Sequence, residues 1–158
     1  MRQAAAISLG IISIGNTNFF LQKVFKMIEQ SQDQQKYMFL STVKEIIFIK
    51  PECLNQYLNV LMPLYLAQSN SKDEPIRNIV AESIGKLFIT HPDALTPYIE
   101  QSLGSKDAMT VGTYARSFKY SAHNNNQPEK FRKFVGILVE LIKHSDLAIK
   151  KNSLESLS

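Results

Sequence analysis

One pattern of apolar residues recurs along this chain, and it constrains the fold more than any other feature. Its clearest copy runs from Ile76 to Leu87, where apolar side chains share one face of a helix and polar side chains occupy the other. Four further copies align with it at the position of Arg77, and these five slot residues are Arg2, Lys36, Arg77, Met109 and Lys150. A helix with one broad apolar face must be covered by neighbours, so the repetition predicts an array of packed helices.

The intervals between the slot residues leave room for a second helix in each repeat. They measure 34, 41, 32 and 41 residues. A tetratricopeptide array keeps a period of about 34 residues and an ankyrin array about 33, each with its own signature, and neither signature is present. Uneven spacing near 40 residues is typical of HEAT or armadillo repeats, and two helices per repeat favour HEAT. We therefore expect an all-α, right-handed α-solenoid of HEAT repeats with about nine helices.

Turn and cap signals divide this array into helix pairs. We expect a single array with half a repeat at 1–15 followed by pairs at 17–50, 52–90, 92–122 and 128–158. Ser31 to Gln34 has the spacing of a capping box, and Gly104 with Ser105 is expected to end one helix and cap the next. In this division both ends of the sequence fall inside a repeat. We expect self-association through the uncovered ends, as a result of truncation rather than as a physiological homo-oligomer.

Acidic residues precede three of the slot residues. Asp73 lies four residues before Arg77 and Asp146 four before Lys150, while Asp33 approximates the same spacing before Lys36. An acid at a helix start followed by a base one turn later suits both the helix dipole and an ion pair. We expect these pairs near the turns, linking adjacent repeats, with Met109 interrupting the series.

Composition excludes several classes of protein. The chain has 158 residues and 44% hydrophobic content, which is enough for a folded core, and its one cysteine, Cys53, cannot form a disulfide within the chain. It has no apolar run long enough to span a membrane and no signal-peptide pattern. The net charge of +4 raises the question of nucleic acid, but bases and acids are interleaved. Even the densest basic cluster, Lys130 to Lys133, stands beside Glu129, so we expect no nucleic-acid binding.

Residue patterns for catalysis or metal binding are weak. Gly10 to Thr17 has the glycine spacing of a phosphate-binding loop, but Asn16 stands where the lysine belongs, and we expect Gly10 to serve helix packing. His91, His123 and His144 fall near predicted helix ends, and none has a second histidine at metal-ligand spacing. We therefore predict no catalytic residue, no metal site, no cofactor and no enzyme activity.

Several stretches resemble one known family, the cullin-associated neddylation-dissociated proteins, here called the Cand family. Residues 8–16, 37–47 and 77–87 resemble consecutive repeats of that family in the same order. A weaker resemblance continues through residues 92–98 to Asp146 and Leu147, so it covers essentially the whole chain. Met109 replaces the basic residue that the family pattern has there, and residues 124–127 are unlike the family.

The resemblance implies a function that the motifs alone do not supply. Members of the Cand family wrap an unmodified cullin bound to its RING subunit, exclude the adaptor and substrate-receptor module, and so promote receptor exchange among ubiquitin ligases. It further implies a fragment of the C-terminal third of such a protein, working in cytoplasm and nucleus. Two alternatives stay open: a generic HEAT scaffold or transport protein, and a nucleic-acid-binding HEAT module, which would show steep salt dependence.

Overall fold

The computed structural model describes residues 2–122 and 128–158, and both ranges are helical without any β-strand. The helices are α1 (Arg2–Gly15), α2 (Thr17–Gln30), α3 (Asp33–Ile49), α4 (Leu58–Gln68), α5 (Glu74–Thr90), α6 (Pro92–Leu103), α7 (Ala108–Ala122), α8 (Pro128–Leu141) and α9 (Leu147–Leu157). A 3-10 helix, Pro51–Tyr57, precedes α4. His123 and the loop predicted at 124–127 lie outside the described residues.

The helices form two layers. In the first, here called the odd layer, α1, α3, α5, α7 and α9 each pack against the next. The second, the even layer, contains α2, the 3-10 helix with α4, α6 and α8. All five slot residues fall on odd-layer helices, as the sequence repeat predicts. The prediction of an all-helical, HEAT-like solenoid is thus confirmed.

The core lies between the two layers, where the apolar helix faces meet. Leu40 and Ile46 of α3 and Ile84 of α5 are fully buried. The apolar run at residues 46–49 belongs to α3 rather than to a strand, and its third residue, Phe48, is 72% exposed. Near α8, the rings of Phe88, Phe118, Phe131 and Phe134 form an aromatic cluster with centroids 4.9 to 6.1 Å apart.

Glycines allow two pairs of odd-layer helices to approach closely. A Cβ atom on Gly85 of α5 would lie 2.2 Å from the carbonyl oxygen of Ser117 in α7. A Cβ atom on Gly10 of α1 would lie 3.2 Å from the Cβ atom of Glu45 in α3. Gly10 therefore lies within a helix and against a neighbouring helix, as expected from its apolar surroundings in the sequence.

Helix starts differ from the sequence expectation at two places. The N-cap of α3 is Gln32, without a side-chain cap bond, so Ser31 does not open a capping box. Helix α7 begins at Ala108, and its cap is Asp107, whose carboxylate accepts from the Thr110 backbone N–H at 2.8 Å. Ser105 instead accepts from the backbone N–H of Asp107. In both cases the chain takes one or two further residues to turn before the helix begins.

Candidate partner-binding surface

The odd layer carries the net positive charge of the protein. Within the described helix bounds its helices hold nine basic and five acidic residues, whereas the even-layer elements hold five basic and six acidic residues. The basic cluster on α8 adds little uncompensated charge. Lys130 pairs with Asp93, Arg132 with Glu129 and Lys133 with Glu100.

Polar contacts join successive helices of the odd layer. Lys44 of α3 forms an ion pair with Glu82 of α5 at 3.3 Å, and Lys119 of α7 forms one with Glu155 of α9 at 3.1 Å. Arg116 of α7 donates through Nε to Asn152 of α9 at 3.1 Å. Lys119 lies three residues after Arg116, and its partner Glu155 lies three residues after Asn152. Helices α7 and α9 therefore run in the same direction, and these contacts hold them in a fixed register.

Glu82 is the most strongly linked acid of this surface. Its carboxylate accepts from Lys86 at 2.8 Å as well as from Lys44. Partial burial raises the pKa of Glu82, but the hydrogen bond from Lys86 and the charges of both lysines outweigh it. The pKa of Glu82 consequently lies below its ordinary value.

Arg116 connects three helices at once, and sequence reasoning missed it. Besides Asn152, it donates to Asn78 of α5, and its guanidinium lies 3.6 Å from the carboxylate of Glu74. Asn152 in turn donates to the backbone carbonyl of Gly112 at 2.9 Å. The sequence signal that could have identified Arg116 is a basic residue among small residues in α7, a helix with little apolar periodicity.

Three of the five slot residues occupy equivalent places in the odd layer. Lys36, Arg77 and Lys150 are each the fourth residue of their helix, and all three are half-buried. Met109 is the second residue of α7 and is 46% exposed. Arg2 is the first residue of α1.

The predicted ion pairs at the helix starts are wrong. Among the described residues, Asp73 and Arg77 form no ion pair, and neither do Asp146 and Lys150 or Asp33 and Lys36. For Asp146 the backbone N–H groups at the helix start compete for the carboxylate, whereas Asp73 is an N-cap residue without a side-chain cap bond and Asp33 is the first residue of α3.

The contacts that replace the ion pairs are local. Asp146 caps α9 by accepting from the N–H groups of Ala148 at 2.8 Å and Ile149 at 3.1 Å. Arg77 donates to the carbonyl oxygen of Ser71 in the turn before its own helix. Helical side chains lean toward the helix N-terminus, which directs Arg77 to that turn. The slots therefore do not link adjacent repeats through their own aspartates.

A groove of about 320 Å³ brings three of the predicted residues together. Arg77, Met109 and Asp146 line it, with Arg116 beside them. It opens at the start of α7, between α5 and α9, where Met109 supplies an apolar wall. Asp33 and Lys36 are not part of it.

His91 and His144 form hydrogen bonds at the turns, whereas His123 lies outside the described residues. His144 accepts through Nδ1 from the backbone N–H of Asp146 at 3.0 Å, and His91 is hydrogen-bonded to Asn55 of the 3-10 helix. Desolvation lowers the pKa of His91. Among the residues whose side chains are described, no cluster is arranged to hold a metal ion, and none of the described helices is long and apolar enough to cross a membrane.

Comparison with known proteins places the chain in a family. No family model matches it. It is 28% identical, over 100% of its length, to "Cullin-associated NEDD8-dissociated protein 1" of Arabidopsis thaliana, and 30% identical over 81% to the protein of that name in Drosophila melanogaster. It is 26% identical over 100% to "Cullin-associated NEDD8-dissociated protein 1, C-terminal part" of Emericella nidulans. The chain spans 13%, 11% and 16% of these relatives. It belongs to the family of cullin-associated NEDD8-dissociated proteins.

Proposed function

We propose that this chain is a segment of a non-catalytic regulator of cullin-RING ubiquitin ligases. It binds an unmodified cullin with its RING subunit and promotes exchange of the adaptor and substrate-receptor modules. The observation that carries the proposal is the match along the whole chain to relatives that are named as cullin-associated. The relative named as a C-terminal part supports a place in the C-terminal third, and we propose action in cytoplasm and nucleus.

The geometry supports binding of a protein. Neighbouring helix axes pack about 8–10 Å apart, so five parallel helices present a surface about 40 Å long. A standard protein interface buries about 800 Å² on each partner, and a surface of this length offers that area. The contacts of Lys44, Arg116 and Lys119 fix the register of the helices, which keeps exposed side chains at constant spacing. A preorganised surface of this kind loses little entropy on binding.

A generic HEAT scaffold or transport protein is the alternative, and it shares every feature of the fold. It differs in its partner, which would be transport cargo or a phosphatase subunit rather than a cullin. A nucleic-acid-binding module is a weaker alternative, because most basic side chains of the odd layer already hold acidic partners.

The test is capture of purified cullin-RING complex by the full-length protein. We expect capture of the unmodified cullin, weaker capture of the NEDD8-modified one, and faster exchange of receptor modules in its presence. No capture of the unmodified complex, with transport cargo or a phosphatase subunit bound instead, would contradict the proposal.

Two matched variants test whether the odd layer is the binding surface. Met109 on α7 is 46% exposed and Val60 on α4 is 49% exposed, so each accepts a charge at similar cost to the fold. We expect Met109→Glu to weaken cullin capture and Val60→Glu to leave it unchanged. The reverse pattern would place the interface on the even layer.

A further inference from the structure

Among the odd-layer cations whose side chains the structure describes, three have no acidic partner. Among the described residues, the ion pairs include most basic side chains of this layer but not Lys36, Arg77 or Lys150. Arg77 uses one donor on the carbonyl oxygen of Ser71, a neutral acceptor, and a guanidinium has five donors in all. The three unpaired cations are all slot residues.

The charges of these cations do not stabilise their helices through the helix dipole. Each is the fourth residue of its helix, in the first turn, where the macrodipole favours anions. A cation there opposes the dipole instead of complementing it. A repeated unfavourable charge without an internal acidic partner is better explained by an external one.

The three cations form a row. The odd-layer helices pack side by side, and α7 and α9 run in the same direction, so fourth residues lie at the same edge of the layer. Helix axes spaced by about 8–10 Å put Lys36 and Arg77 about 10 Å apart, and Arg77 and Lys150 about 20 Å apart. Met109 lies in the wider interval, at the groove of about 320 Å³.

The groove offers an apolar contact between two of the cations. Met109, Ala108 and Ala148 contribute apolar surface to it. Its two acids are engaged: Asp146 accepts two backbone N–H groups, and Glu74 lies beside Arg116. Asp33 and Asp73 also stand at this edge without an ion pair among the described residues, but five basic residues without one outnumber them: Lys36, Lys72, Arg77, Lys106 and Lys150. The net charge at this edge is therefore positive.

We propose that this edge of the odd layer receives an acidic segment of the partner protein. Carboxylates about 10 Å apart pair with Lys36 and Arg77, an apolar side chain enters the groove at Met109, and a further carboxylate pairs with Lys150. On a helix that rises about 1.5 Å per residue, these groups lie seven residues apart. The inference rests on the proposed function, because it specifies the chemistry of the cullin-RING surface that is bound.

A protein segment fits this row better than nucleic acid does. The phosphates of duplex DNA carry one charge per about 1.7 Å of helix axis, so a duplex would favour a continuous basic strip. Here the cations are sparse, and the groove between Arg77 and Lys150 is lined by neutral Met109 and by two acids, Glu74 and Asp146, which would repel phosphates.

The experiment uses the full-length protein and the purified unmodified cullin-RING complex. The slot variant combines Lys36→Glu, Arg77→Glu and Lys150→Glu. The control variant combines Lys23→Glu, Lys26→Glu and Lys50→Glu, which changes the net charge equally on α2 and after α3. An exposed ion pair changes affinity by about 1.5- to 5-fold, and reversal adds repulsion. We expect the slot variant to bind at least about tenfold more weakly and the control variant to bind as the wild type does.

The outcomes separate this inference from the proposed function. If the wild-type protein captures no cullin, the proposed function fails. If wild type, slot variant and control variant bind cullin equally, the inference fails while the proposed function stands. The inference also fails if duplex DNA competes with cullin for the wild-type protein but not for the slot variant, because the row would then bind nucleic acid. Because Arg77 contacts the turn at Ser71, the double variant Lys36→Glu with Lys150→Glu repeats the test without disturbing that turn.

Discussion

Substitution of Gly85 by alanine tests the close approach of α5 and α7 on which the odd layer depends. The added Cβ atom would lie 2.2 Å from the Ser117 carbonyl oxygen and 2.8 Å from the Cβ atom of Tyr120. Both obstacles belong to a helix rather than to a flexible side-chain end, so α7 must move by about 1 Å. Overpacking of this kind costs about 3 kcal/mol, and the better helix propensity of alanine returns about 1 kcal/mol. We expect a net loss of about 2 kcal/mol in the free energy of unfolding.

Urea denaturation of the 158-residue chain measures this loss, and Gly136→Ala is the matched control. No atom lies within 4 Å of a Cβ atom built on Gly136 in α8, so only the gain in helix propensity applies there. With a denaturant slope of about 2 kcal/mol per M, Gly85→Ala should lower the midpoint by about 1 M, and Gly136→Ala should raise it by up to about 0.5 M. Equal midpoints for the two variants would refute the close contact between α5 and α7.

Three further substitutions test separate parts of the structure. Asp146→Ala should lose about 1 kcal/mol of unfolding free energy because the α9 cap is removed, whereas Asp73→Ala should lose much less, since Asp73 makes no side-chain cap bond. Phe118→Ala should lose about 3–5 kcal/mol in thermal unfolding, because the ring is fully buried in the aromatic cluster. Glu82→Gln should lower the free energy of unfolding by about 1 kcal/mol at pH 7, because both ion pairs of Glu82 are lost. The pKa of Glu82 is depressed in the folded chain, so its contribution to the free energy of unfolding is present above the unfolded pKa and disappears as pH falls through the folded pKa. The free energies of unfolding of variant and wild type should therefore become equal at acidic pH.

The sequence predicts the layer to which each slot residue belongs because apolar periodicity directly reflects burial. It fails to predict the contacts of those residues. Spacing of four residues permits an ion pair between Asp146 and Lys150, but it does not show that two backbone N–H groups lie closer to that carboxylate. At a helix start the cap and the ion pair compete, and the packing of the turn, which spacing does not encode, decides which one forms.

Helix α7 shows why a central element is hard to recognise from its pattern. It packs on α5 and on α9, and buried polar or small residues, including Gly112, Thr113 and Ser117, provide much of its surface there. The hydroxyls of Thr113 and Ser117 donate to backbone carbonyl oxygens, at 2.8 Å and 2.7 Å within the helix, so they are buried without loss of hydrogen bonding. A helix that contacts two neighbours through small or polar residues shows little apolar periodicity. The sequence pattern therefore did not identify α7 as a central helix, and Arg116 was missed.

The position of Arg116 explains why residue 109 is a methionine rather than a basic residue. In α7 the cation lies seven residues after the slot, about two turns along the helix, where it contacts Asn78 and Asn152 on the flanking helices. A cation at position 109 would be the third in the groove that Arg77 and Arg116 already line. Seven residues span about 10 Å of helix, and two cations at that distance repel by about 1.7 kcal/mol at an effective dielectric constant of about 20. A neutral, flexible side chain at position 109 avoids that repulsion, and it leaves an apolar wall where the row of slot cations is interrupted.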